Sequence, residues 1–171
     1  MILKRLDLNE KQYNVAYNLY QNSFPYLERR DDSGHALIMQ KPDYHFDGII
    51  DNGELLGVML YFERDSFIYL EHFAVFPEKR GNGIGAKGLE ILKNKGKTVI
   101  LEIEYPVDEI TTRRFNFYKR NGFKLNDHYH IQAKYHTGDD DLALKILSYP
   151  NVISKTEYQE FKDYLNNEVT F

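Results

Sequence analysis

Arg80-Gly81-Asn82-Gly83-Ile84-Gly85-Ala86 puts a glycine at every second position of a short stretch. Before it stands an aromatic and β-branched run, Ile68-Tyr69-Leu70-Glu71-His72-Phe73-Ala74-Val75, which reads as a strand. After it, apolar residues at 84, 88, 89, 91 and 92 read as a helix over 84–95. A glycine-rich turn between strand and helix leaves backbone N–H groups free at the positive end of a helix. That arrangement suits a phosphate group.

The totals narrow the classes. A chain of 171 residues is expected to form one domain over 1–171. Hydrophobic residues at 42 % and charged residues at 28 % give the balance of a soluble protein. Tyrosine is abundant, which suits half-buried strands and polar-rimmed pockets. A net charge of −4 argues against a nucleic-acid partner. The lack of cysteine excludes disulfides, thiolate metal sites and a Cys nucleophile, and no metal is expected at the site. No apolar run approaches the roughly 20 residues of a membrane span. The N-terminus is too short and too charged for a signal peptide. A cytoplasmic enzyme or binding domain, without membrane association, is the expectation.

Working outward from the loop, residues 2–6 read as a first strand. Asn9 reads as a helix cap with Gln12 completing a capping box. Val15, Ala16, Leu19 and Tyr20 give that helix its apolar face, and it ends near Pro25. Residues 26–32 read as a second short helix, broken by Ser33-Gly34. Three strands follow, over 44–50, 55–62 and 67–75, the first two joined by Asp51-Asn52-Gly53, a strong hairpin signal. An antiparallel meander therefore feeds the glycine loop. Beyond it, Gly96 caps the loop helix. A strand over 98–105 and a helix over 108–121 come next. Residues 123–125 and 129–135 read as strands. Asp139-Asp140-Asp141 reads as a solvated turn. Residues 142–149 fit strand or helix equally, and Ser154 with Glu157 opens a last helix to about 167.

Two ligands compete for the loop. Gly81-x-Gly83-x-x-Ala86 is a form of the dinucleotide-binding fingerprint, and Glu102 and Glu104 lie about 20 residues on, as that motif asks. Against this reading, Phe76-Pro77-Glu78-Lys79-Arg80 separates strand from glycines, and the loop follows a meander rather than opening a parallel sheet. The longer pattern Val75-x-Pro77-Glu78-x-Arg80-Gly81-x-Gly83-x-Gly85 resembles the acyl-CoA binding motif of the Gcn5-related N-acetyltransferases, with Arg80, Gly83 and Gly85 matching position by position. Phe117-Tyr118-Lys119-Arg120-Asn121-Gly122-Phe123 resembles that family's Phe-Tyr-x-x-x-Gly-Phe block. One departure is that the Asn and Ala often found earlier in that helix are Thr111 and Arg114 here.

The resemblance implies an α/β (α+β) fold with a mixed, mostly antiparallel central sheet flanked by helices on both faces. It also implies acetyl-CoA as co-substrate, held by Phe73, Val75, Arg80, Gly81, Asn82, Gly83, Ile84, Gly85 and Ala86, with Lys87 near enough to assist. The backbone N–H near Val75 would polarise the thioester carbonyl. Tyr118 would act on the leaving thiolate. Because free tyrosine titrates about 1.5 units above a thiol, its part is to donate a hydrogen bond. The base for the acceptor amine would be a carboxylate, directly or through water, with Glu71 and Glu104 as candidates. Glu102 shares a strand face with Glu104 and reads as a solvent-facing edge. A carboxylate at Glu71, in an apolar run, must be paired or face a cavity. His72 would point away from it by strand alternation. The acceptor site is implied at Tyr26, Arg29 and Tyr129, with Phe24, Arg30 and His136 nearby. Arg29-Arg30 reads either as an anion site or as a solvated helix face.

The expected function is transfer of an acetyl group from acetyl-CoA to a primary amine on a small molecule or peptide. The alternatives are an NAD(P)-dependent oxidoreductase and a non-catalytic acyl-CoA-binding module. Residues 142–171 extend past the minimal pattern, leaving open a homodimer or a cover for the acceptor site.

Overall fold

The computed structural model describes residues 1–136, 138 and 140–169. The chain falls into two compact units, Met1–Lys97 and Thr98–Phe171. Asp139, in the triple-aspartate run, lies outside the described residues, while Asp140 and Asp141 are exposed.

The first unit is built on four strands, β1 (Ile2–Arg5), β2 (Tyr44–Asp51), β3 (Glu54–Glu63) and β4 (Phe67–Val75). They pair in chain order and antiparallel throughout. The β2–β3 turn has Asn52 at φ 48° and Gly53 at φ 83°, the double left-handed turn that its sequence predicts. Phe46 lies opposite Leu60 on one face, and Asp47 opposite Met59 on the other. Helix α1 (Lys11–Ser23) covers the first face, with Tyr13 and Tyr20 packed 5.2 and 6.4 Å from Phe46. Helix α3 (Ile84–Lys93) covers the second. Its Gly88 allows the close approach, since a Cβ there would stand 3.1 Å from Met59 Cε and 3.4 Å from Ile49 Cδ1.

Three local expectations fail in this unit. Helix α1 starts after Glu10, not Asn9, and its cap makes no side-chain bond. Tertiary partners take the capping groups instead. Gln12 donates to the Gly53 carbonyl at 3.2 Å, and Glu10 pairs with Lys4 at 2.7 Å. Val15 is 46 % exposed, and Tyr13 takes its place on the buried face with Ala16, Leu19 and Tyr20. Ser33-Gly34 does not break a helix but begins one. Residues Tyr26–Glu28 form a single 3-10 turn, and α2 (Asp32–Ile38) starts after Asp31, whose carboxylate accepts from the Gly34 amide at 2.7 Å.

His35 on α2 is buried, with Nε2 2.9 Å from the Tyr13 hydroxyl and its ring 4.6 Å from that of Tyr17. Burial, then the Arg30 charge, hold its pKa down to about 4 against 6.5 for a free imidazole. The unfolded chain therefore takes up a proton near pH 6.5 that the folded chain refuses until about pH 4. The stability from keeping His35 neutral is full above pH 6.5 and falls by about 3 kcal/mol between pH 6.5 and 4. His35→Phe is expected to flatten that part of the stability curve. Urea unfolding of both proteins at pH 7 and near pH 4 checks this, and an equal loss in both would remove His35 as the cause.

The second unit holds β5 (Thr98–Ile103), α4 (Glu109–Arg120), β6 (Lys124–Leu125), β7 (His130–Ile131), β8 (Ala143–Tyr149) and α5 (Lys155–Tyr164). The stretch that fits strand or helix equally is thus a strand. β8 is the hub of this unit, pairing antiparallel with β5, β6 and β7. β7 is much shorter than its predicted span. Helix α5 carries the predicted box, with Ser154 Oγ accepting from the Glu157 amide at 3.2 Å and Glu157 accepting from the Ser154 amide at 2.7 Å. Its last turn widens into a π turn over Leu165–Val169. The fold is mixed α/β with mostly antiparallel strands, as the resemblance implies. No helix among the described residues is long and apolar enough to cross a membrane.

Candidate active site

The glycine loop starts where β4 ends. Phe76 still bonds β3, through its amide to the Leu56 carbonyl at 3.1 Å, and Pro77–Lys79 then turn the chain in one 3-10 turn. β3 and β4 are pressed together here. A Cβ on Gly57 would collide with the Ala74 carbonyl oxygen and stand 3.1 Å from Val75 Cα, so only glycine fits. Arg80 Nε donates to the Val75 carbonyl at 3.1 Å, tying the loop's cation to the strand end, and Asn82 Nδ2 donates to the Lys79 carbonyl at 3.2 Å.

Gly81 and Gly83 have φ of 84° and 72°, a region that L side chains seldom enter. Gly83 is the N-cap of α3 and brings no side chain to it. The Lys87 amide, donating to the Gly83 carbonyl at 3.1 Å, makes the first bond of the helix. The amides of Ile84, Gly85 and Ala86 therefore have no partner within it. Space beyond Gly81 and Gly83 is open, with nothing within 4 Å of a built Cβ. The loop is an exposed row of backbone donors at a positive helix end. Ile84 alone among its residues is buried, anchoring the helix in the core.

Glu71 sits at a fault in the sheet. Leu60 pairs with His72, and the next residue, Tyr61, pairs with Leu70, so Glu71 is the extra residue of a β-bulge. The bulge breaks strand alternation. The expectation that His72 points away from Glu71 is thereby corrected, since His72 Nδ1 lies 3.5 Å from the Glu71 carboxylate. Arg30 grips that carboxylate with two bonds of 2.9 Å, one to each oxygen. Side-chain exposure is 4 % for Arg30 and 0 % for Glu71. The guanidinium also lies against the rings of Tyr44 and Phe62, at 5.9 and 5.8 Å. His72 Nε2 donates to the Glu28 carbonyl at 2.7 Å. Burial alone would raise the Glu71 pKa, but the charges of Arg30 and His72 and their hydrogen bonds override it and hold the carboxyl far below its ordinary range. Arg30 is thus no solvated helix residue. A carboxylate so acidic and so fully engaged is a poor proton acceptor.

In the rest of the predicted acceptor segment Tyr26 is exposed, while Phe24 and Arg29 are half-buried. The Arg29 guanidinium stands 5.8 Å from the Tyr26 ring centroid, and its Nε donates to the Phe24 carbonyl at 3.3 Å.

In the second unit, Asp108 caps α4, its carboxylate accepting from the Thr111 amide at 2.8 Å. Thr111, one of the two departures from the resembled pattern, spends its hydroxyl in the same box. The block from Phe117 to Phe123 is a helix end. Gly122 takes φ 88°, and Phe123 is buried 5.6 Å from Tyr118 and 5.8 Å from Tyr149. Tyr118 is buried, and burial, assisted by Glu104 and opposed by Arg114, pushes its pKa up to about 12. Arg114, one helical turn before Tyr118, is ion-paired with Glu104. Nothing local in the sequence marks this pair, whose partners stand ten residues apart. Glu102 is not a solvent edge, since its side chain is 7 % exposed and paired with the buried His130. Tyr129 is 75 % exposed, and His136 is half-buried.

The profile of the Acetyltransferase (GNAT) family matches residues 13–123. YjbC of Bacillus subtilis (strain 168), a protein assigned to the acetyltransferases, is 36 % identical over 114 residues. That match spans 63 % of this chain and 56 % of YjbC, little more than half of the relative's length. A protein of Bacteroides thetaiotaomicron assigned to the GNAT acetyltransferases has a similar structure, with TM-score 0.91 and 30 % identity over 99 % of this chain and 98 % of that one. More distant likenesses, which concern the fold alone, include the ribosomal-protein-S18-alanine N-acetyltransferase of Escherichia coli, with TM-score 0.62 and 20 % identity over 90 % of this chain and 95 % of that one. Naa50 of Arabidopsis thaliana, in complex with the bisubstrate analogue CoA-Ac-MVNAL, gives TM-score 0.59 and 18 % identity over 86 % of this chain and 96 % of that one. From the loop motif, the fold and the extent of these matches, the chain belongs to the Acetyltransferase (GNAT) family.

Proposed function

We propose that this chain transfers the acetyl group of acetyl-CoA to a primary amine, on a small molecule or a peptide, by direct attack with both substrates bound. The observation that carries the reading is the donor row at residues 81–86. Left-handed Gly81 and Gly83 expose it, and the first three amides of α3 are free of intrahelical bonds. Such a row fits the pyrophosphate of coenzyme A. Family membership favours this ligand over a nicotinamide dinucleotide, which the bare glycine spacing also allowed.

The chain's own groups divide the work. Residues 80–86 bind the cofactor, and the strand end at Phe73 and Val75 lines its acyl end. Tyr118 holds its proton to about pH 12, so passing it to a thiolate of pKa about 8.5 would be uphill by about 5 kcal/mol. Its part is therefore a hydrogen bond to the leaving sulfur. For the base, Glu104 is better suited than Glu71. A third of its side chain is exposed, so it can turn from Arg114 to take a proton directly or through water. Exposed Tyr26 and Tyr129 and half-buried Arg29 are assigned to the acceptor.

Isothermal calorimetry with acetyl-CoA, coenzyme A, NAD and NADP tests the cofactor, and release of free thiol with a panel of amines tests the transfer. Binding of a nicotinamide cofactor without coenzyme A would overturn the reading. Tyr118→Phe is expected to keep acetyl-CoA affinity and to lower kcat about tenfold to a hundredfold, the worth of one hydrogen bond to a charged group. Unchanged turnover in that variant would take Tyr118 out of the reaction.

A further inference from the structure

Three hydrogen-bond contacts in the second unit share a fixed number of protons. His130 Nε2 meets Glu102 Oε1. His130 Nδ1 lies 3.0 Å from the Tyr158 hydroxyl. The Tyr158 hydroxyl lies 2.9 Å from the Tyr129 carbonyl oxygen. A carbonyl oxygen only accepts, and so does an ionised carboxylate. Three contacts therefore need three protons on the imidazole and phenol together. A neutral imidazole and a phenol carry two. With both ring nitrogens protonated, Nε2–H goes to Glu102, Nδ1–H to the Tyr158 oxygen, and the Tyr158 O–H to the Tyr129 carbonyl. All three bonds form, and the buried pair is electrically neutral.

Removing one proton leaves a choice. If Tyr158 turns its O–H to the bare Nδ1, the Tyr129 carbonyl loses its donor. If it keeps Tyr129, two lone pairs face each other at 3.0 Å. The first alternative avoids that repulsion and leaves the freed carbonyl on an exposed residue that water reaches.

We propose that Glu102, His130 and Tyr158 form a proton-holding unit that positions Tyr129, and that loss of the second ring proton of His130 releases it. The groups facing the His130 ring are Glu102 from β5 and Tyr158 from α5, with Phe161 stacked on it at 6.2 Å. On β8, Leu144 lies opposite His130. His128 stacks on the Tyr158 ring at 4.2 Å, and its Nε2 donates to the Ile153 carbonyl at 3.1 Å. Helix α5, past the matched family region, thereby fastens the segment from His128 to His130 at each of its three residues. Tyr129 as an acceptor residue rests on the proposed acetyl transfer. The proton count does not.

The test uses the full chain labelled at the imidazole nitrogens and at the Tyr129 carbonyl carbon, followed by NMR across pH 5–9. Tyr129's carbonyl resonance is expected to shift with the His130 ring, with one shared midpoint. In Tyr158→Phe, which keeps the ring stacked on His128, the His130 ring is expected still to titrate while the carbonyl response is lost. A wild-type carbonyl that stays still while His130 titrates overturns the proposal, as does a carbonyl that follows His130 equally in Tyr158→Phe. So does a single ring proton throughout the range. No acetyl-CoA or acceptor is needed, so this outcome is separable from any failure of acetyl transfer.

Discussion

Arg30→Met is expected to lower the unfolding free energy by about 3–5 kcal/mol, the cost of leaving a buried charge without its partner. In a chain of this size that corresponds to a fall in Tm of roughly 6–20 °C. The side chain of Glu71 has no exposure, and Arg30 satisfies both its oxygens. Methionine fills similar volume but supplies no donor. Removing the charge as well should restore most of the loss, so Arg30→Met with Glu71→Leu is expected to approach wild-type stability. The pH dependence separates the two variants from the parent. In the wild type the folded Glu71 pKa lies below its unfolded value. The pair's contribution is therefore present above the unfolded carboxylate pKa of about 4.3 and is lost as pH falls towards the folded one. In Arg30→Met the same carboxyl is buried without its guanidinium, its folded pKa rises, and the variant regains relative stability as the solution is acidified. Chemical denaturation at pH 7, pH 5 and pH 3 measures both effects. A single variant as stable as the double one would show that burying Glu71 without Arg30 costs the fold nothing, and would overturn the expectation.

What the sequence revealed was local, and what it hid was long-range. The hairpin at Asn52-Gly53, the cap at Ser154 with Glu157 and the turn at Gly122 each depend on residues within one turn of one another, and each stands as read. The Asn9 box fails because Gln12 has a better use 41 residues away, at the Gly53 carbonyl. Glu71 shows the same limit at the site. Its apolar surroundings required a partner or a cavity, but nothing in the run names Arg30, also 41 positions distant. Strand alternation then misplaced His72, because a bulge is a fact of pairing and is invisible in one strand alone. Arg114 looked like a lost family position until Glu104 supplied its reason. The donor loop was legible because its chemistry is carried by the backbone, and glycine spacing is a direct record of backbone conformation.

Gly83→Val is expected to cut acetyl-CoA affinity by at least about a hundredfold while leaving the free protein folded. Two costs have to be separated. At φ 72° a β-branched residue is strained, by about 1–2 kcal/mol or somewhat more. That cost falls on folding and should lower Tm by only a few degrees. It is not a packing clash, since nothing lies within 4 Å of a Cβ built there. The second cost falls on the ligand. A branched side chain at the N-cap of α3 stands over the amides of Ile84, Gly85 and Ala86 and keeps a phosphate from them. Losing two backbone bonds to a charged oxygen, at about 1.5–3 kcal/mol each, gives the hundredfold or more. Asparagine tolerates the left-handed region far better than valine. Gly83→Asn should therefore melt close to the wild type yet still bind acetyl-CoA more weakly, placing affinity in the order Gly, Asn, Val. Calorimetry gives the affinities and thermal unfolding without ligand gives the strain. If both variants bound acetyl-CoA as tightly as the parent, the donor row would not be where the pyrophosphate sits, whatever the family resemblance. If affinity fell only in proportion to Tm, the loop's role would be to stabilise the fold and not to hold the cofactor.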